Sequence, residues 1–125
     1  MNNTVFQDIF DRILEVLPDG WRRLVVYIDY MGESSGINFY TDNGDGKYID
    51  CFSQKGISRE QLINLFIDIG KILAPERRAL DDKNKWSVMT MVIDSDGNME
   101  AEFDYTDISG SIIEYEREWK NKYLN

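Results

Sequence analysis

A chain of 125 residues has room for one hydrophobic core and not comfortably for two, so a single domain over residues 1–125 is expected. Hydrophobic residues at 42% and charged residues at 30% are globular proportions, and a formal charge of −9 repels nucleic acid and anionic lipid, whose phosphates need Lys and Arg. No apolar run approaches the ~18 residues of a membrane span, "MNNTVFQDIFDRILEVL" lacks the basic start of a signal peptide, and the lone Cys51 fits a reducing, cytoplasmic compartment.

Residues 4–17 place Phe6, Ile9, Phe10, Ile13, Leu14 and Leu17 at helical spacing, which predicts one amphipathic helix. Thr4 with Gln7 reads as its capping box, and "PDG" at 18–20 stops it. "WRRLVVYIDYM" (21–31) is a strand pattern with Leu24, Val26, Ile28 and Tyr30 on one face. After the loop "GESSG", a second strand "INFYT" (37–41) turns through "DNGDG" (42–46) into a third, "KYIDCF" (47–52).

Ser58 and Gln61 form a second capping box, opening a helix whose stripe is Leu62, Leu65, Phe66, Ile69, Ile72 and Leu73. Pro75 is predicted to end or kink it, leaving "PERRALDDKNK" as a solvated connector with space for one more helical turn. Residues 86–107 alternate around Asp96-Gly97, a hairpin turn dipeptide. With those two residues as the turn, Val92 faces Ala101, Thr90 faces Phe103 and Val88 faces Tyr105 on a core side. Ile93, Met91 and Met89 then pair with Glu100, Glu102 and Asp104 on the other side.

A last helix begins near Ser111, with Ile112, Tyr115, Trp119 and Tyr123 in one stripe toward the sheet. Its pairs Glu116–Lys120 and Glu118–Lys122 have the favourable order, so the basic ending "REWKNKYL" is locally neutralised and needs no nucleic-acid partner. The element order α-β-β-β-α-β-β-α predicts an α+β fold, an antiparallel sheet of about five strands with three helices.

Histidine is absent, which excludes Ser-His and Cys-His nucleophiles and nearly all zinc sites. "TDNGDGKYIDCF" resembles a calcium loop, but Thr41 and Phe52 fall where acidic ligands belong, so a turn is expected there. Cys51 reads as a small buried hydrophobe. Glu100, Glu102 and Asp104 line one strand face, as alternation on a solvated strand alone would produce. Beside them, Met89, Met91 and Ile93 are either covered by helices or form an open apolar face ringed by acids. No catalytic residue, metal or cofactor is assigned.

The stretch from Trp86 to Leu124 resembles the YezG-like immunity proteins, antitoxins of secreted bacterial toxins. The resemblance rests on Trp86 opening a strand, Gly97 and Met99 in the hairpin, "FDYTD" (103–107), Arg117 and the closing "WKNKYL" (119–124). It departs in a short link before the last helix and in Met99, where an aromatic is common. It implies a cytoplasmic, non-enzymatic protein that binds and neutralises a cognate toxin, with a nuclease as the implied class. A nuclease needs a basic surface, and an acidic inhibitor is steered to it. The residues expected to form that surface are Glu100, Glu102 and Asp104 with Met89 and Met91, plus Asp42 and Asp45 at the meander turn. Two rivals remain at this point: a small carboxylate or metal enzyme, and a homo-oligomeric module joined through the Met face.

Overall fold

The structure, a computed structural model, describes residues 3–32 and 34–124. Its elements are α1 (Asn3–Leu14), β1 (Arg23–Met31), β2 (Ser34–Asp42), β3 (Tyr48–Asp50), α2 (Arg59–Arg78), β4 (Val88–Asp94), β5 (Met99–Asp104) and α3 (Ile112–Tyr123). This is the α+β order that the sequence pattern predicts, with the strands in one antiparallel sheet ordered β3-β2-β1-β4-β5. Two compact units result, one carrying α1 and α2, the other the sheet and α3.

In the helical unit, Val5, Ile9 and Ile13 are the buried positions of α1, while Leu14 is exposed, so the buried stripe is rotated toward Val5. The helix already runs from Asn3, which puts Thr4 inside its first turn rather than at a cap, and Gln7 instead donates to Asp11 at 2.8 Å. The second capping box forms as expected: Ser58 Oγ accepts from the Gln61 N–H at 3.1 Å, and Gln61 Oε1 accepts from the Ser58 N–H at 2.8 Å. Pro75 neither ends nor breaks α2, which runs on to Arg78. Proline lacks only the donor; its carbonyl still accepts the Ala79 N–H at 3.1 Å, and one more turn follows. The connector beyond holds a short 3₁₀ turn, Asp82–Asn84, capped by Asp81.

In the sheet unit, Leu24 to Ile28 form a continuous buried run along β1, the middle strand of the sheet. β3 is shorter than expected: pairing ends at Asp50, and Cys51–Ser53 coil into a 3₁₀ turn. Cys51 is nonetheless fully buried, its thiol donating to Asn38 Oδ1 at 3.0 Å.

The β4–β5 register is one residue away from the expected one. Ile93 pairs with Met99, Met91 with Ala101 and Met89 with Phe103; Val92, Thr90 and Val88 pair with Glu100, Glu102 and Asp104. The cause is the loop. Asp94 N–H donates to the Asn98 carbonyl at 3.0 Å, so Ser95, Asp96 and Gly97 all lie in the turn, with Gly97 at φ 94°. The Asp94 carboxylate fixes this longer loop by accepting from Asp96 N–H at 3.0 Å, Asn98 N–H at 3.1 Å and the Asn98 amide at 2.9 Å. Because side chains alternate, a one-residue slip moves every side chain to the other face. Met89, Met91 and Ile93 therefore stand opposite the acids, each 0% exposed. Tyr105, expected in the core, lies past the end of β5 and is 58% exposed.

The other face of the sheet is covered by α3. Trp119 packs with Val25, Tyr27, Tyr40, Val88 and Ile108, joined by Ile112, Tyr115 and Tyr123, the stripe that helical spacing predicts. Its indole meets Tyr27 edge-on at 5.0 Å, and its N–H donates to the buried Thr90 Oγ1 at 2.8 Å. Among the described residues, the expected Glu116–Lys120 and Glu118–Lys122 ion pairs do not form; Lys122 turns instead to Glu102 on β5, at 3.5 Å.

Candidate functional site

Strand alternation decides which acids share the α3-covered face. From the register, Asp42, Arg23 and Asp94 lie in one row across β2, β1 and β4. Glu100, Glu102 and Asp104 follow on β5 of the same face, together with Asp29 on β1 and Asp50 on β3. α3 lies across this face and adds Glu116 and Glu118, and a cleft opens on each of its sides with Trp119 bordering both.

The cleft toward β5, of about 220 Å³, is lined by Thr90, Glu102, Asp104, Tyr115, Glu118, Lys122 and Tyr123. Glu102 accepts from the Tyr123 hydroxyl and pairs with Lys122, and the Tyr123 bond above all holds its carboxyl below the usual range. Asp104 is also lowered, chiefly by the Thr106 N–H it accepts at 3.0 Å. The Tyr115 hydroxyl is pushed up by burial and by its hydrogen bond to Asp104. These carboxylates are fixed as anions, which is the wrong direction for a general acid near neutral pH and the right one for attracting a cation.

The cleft toward β2, of about 200 Å³, is lined by Tyr27, Asp29, Gly36, Ile37, Asn38, Tyr40, Glu116, Trp119 and Lys120. Asp29 Oδ2 accepts from the Tyr27 hydroxyl at 2.7 Å. The Asn38 amide donates to Tyr40 at 3.0 Å and to Asp50 at 3.2 Å. Burial, then the hydrogen bond to Asp29 and its charge, raises the Tyr27 hydroxyl far above its ordinary value; burial and the charge of Asp50 bring Tyr40 to about 12.

The expected partner residues are thus divided. Glu100, Glu102, Asp104 and Asp42 share the α3 face of the sheet, while Met89 and Met91 lie on the opposite one and are buried. Asp42 and Asp45 hold the meander turn, accepting from Gly44 N–H at 2.8 Å, Gly46 N–H at 3.0 Å and Lys47 N–H at 3.0 Å. Two features were missed. From the sequence Asp94 has no role, since Asp96-Gly97 alone is taken as the turn. Asp29 carries a legible signal, an acid inside the apolar run "LVVYIDYM", but its cleft depends on Gly36, its partner on the neighbouring strand β2.

Among the described residues no group of three or more His, Cys, Asp or Glu could hold a metal ion. Nor is any helix there long and apolar enough to cross a membrane. Residues 2–125 match the family of the immunity protein YezG-like type. The chain belongs to the YezG-like immunity protein family. It is similar to the Immunity protein YezG of Bacillus spizizenii, at 24% identity over 114 residues that cover 86% of this chain and 70% of that protein. Kinship thus extends well beyond the C-terminal third that carries the motifs.

Proposed function

We propose that this protein, acting as one domain in the cytoplasm, is a non-enzymatic antitoxin that occludes the basic active-site surface of a cognate toxin, a nuclease in class, one copy for one. The observation that carries this is the α3 face, where Asp42, Asp94, Glu100, Glu102 and Asp104 on the sheet meet Glu116 and Glu118 on the helix. A surface of that sign attracts a phosphate-binding site and competes with the nucleic acid for it. Asp45 extends it at the loop. Met89 and Met91 contribute to packing instead, and the self-association reading loses its apolar face with them.

Charge reversal tests the proposal. Glu100→Lys with Asp45→Lys is expected to slow association with the toxin by about tenfold or more at low salt, and by less as salt rises. An association rate that is unchanged and indifferent to salt would remove the acidic face from the mechanism.

A further inference from the structure

We propose that the cleft between α3 and strands β1 and β2 is a receptor for one guanidinium group, an arginine side chain of the partner protein. The inference rests on the antitoxin reading for the identity of that partner, but its chemistry is local.

Asp29 is the starting point. It is 5% exposed in the centre of the sheet, and among the described residues no cation lies within ion-pair distance of it. Oδ2 accepts from Tyr27, whereas Oδ1 accepts no hydrogen bond from any described residue. A carboxylate this buried, with a hydrogen bond to one oxygen and only the cleft before the other, is costly to keep without a cation, and an apolar residue at this position would pack at no such penalty. A charge arriving from outside would supply the missing partner.

The strand beside it keeps the approach open. Gly36 pairs directly with Asp29, and a Cβ there would stand 2.7 Å from Asp29 Oδ1. Any side chain at 36 would fill the space in front of the free oxygen, and glycine leaves it to the cleft.

The walls select the kind of cation. Tyr27, Tyr40 and Trp119 line the cleft, with the indole 5.0 Å from the Tyr27 ring and 5.6 Å from the Tyr40 ring. Aromatic surface beside a carboxylate suits a flat, weakly hydrated guanidinium, which stacks and donates in a fork, better than a compact ammonium. Asn38 takes no part, since its amide is committed to Tyr40 and Asp50 and its oxygen to Cys51. Glu116 and Lys120 also line the cleft, one charge of each sign, so that Asp29 sets its net charge.

The test uses the full chain and N-acetyl-L-arginine methylamide, titrated through the millimolar range while the Trp119 indole N–H resonance is followed. A saturable shift is expected, about tenfold weaker with the lysine analogue and absent with the neutral citrulline analogue. Asp29→Asn, which keeps the shape, and Gly36→Ala, which fills the approach, are expected to abolish it. Glu116→Gln, a surface change that leaves the core intact, is expected to weaken it several-fold. Absence of a saturable arginine shift, an equal response to citrulline, or wild-type binding by folded Asp29→Asn or Glu116→Gln overturns the proposal. Toxin neutralisation is assayed separately. If neutralisation fails while arginine binds, the antitoxin reading falls; if arginine does not bind while neutralisation persists, only the receptor falls.

Discussion

Thr90 and Trp119 show how one hydrogen bond can anchor a helix. The indole N–H and the threonine hydroxyl are both buried, 29 residues apart in sequence, and each satisfies the other at 2.8 Å. Thr90→Val keeps the shape but strands the indole donor, so a loss of about 1–3 kcal/mol is expected, with Thr90→Ser nearly neutral. Trp119→Ala removes the centre of the cluster and should lose about 3–5 kcal/mol. Urea unfolding measures all three, and a Thr90→Val protein as stable as the wild type would remove this bond from the account. Helical spacing placed Trp119 in the core, but its partner was out of reach: nothing local in "MTM" indicates that Thr90 will face an indole.

At the scale of elements, much of the fold was legible because its boundaries are chemically marked. The Ser58–Gln61 box, the glycines at 44, 46 and 97, and the stripes of α2 and α3 all mark ends or faces that the structure keeps. The hairpin register was not legible, because a dipeptide does not reveal how many residues a turn contains. Here the Asp94 carboxylate decided it, by capturing two N–H groups of the loop. The consequence spread to the site, since the slip separated the methionines from the acids. Gly97 is the backbone condition for this turn, at φ 94°. Gly97→Val is expected to lose about 1–2 kcal/mol for placing a branched residue in the left-handed region. Unfolding midpoints in urea test this, and an unchanged midpoint would mean the loop has another conformation.

For the whole molecule, two sets of groups set the pH range of stability. Tyr27, Tyr40 and Tyr115 have hydroxyls raised from an ordinary value of 10.0. A raised value means that the folded state holds the proton more tightly, so their contribution is complete below pH 10 and is lost as pH climbs above it. Glu102 and Asp104 are lowered from 4.5 and 3.8, so theirs is present above those values and is lost as pH falls. Stability should therefore be flat between these limits and fall on both sides, and Tyr27→Phe should shrink the alkaline fall. Urea midpoints across pH test this, and a decline already under way at pH 8 would contradict the tyrosine assignment.

β5 is an edge of the sheet, and Glu100, Glu102 and Asp104 stand along it. An unpaired strand edge is a template for another chain, and charges along it are a common guard against such pairing. The three carboxylates that we propose as part of the toxin-facing surface therefore also guard this edge against pairing with another copy. Substitutions that merely neutralised them would expose the edge to aggregation, whereas exchange for lysine keeps it charged. The charge of this edge can change in sign more readily than it can fall to zero.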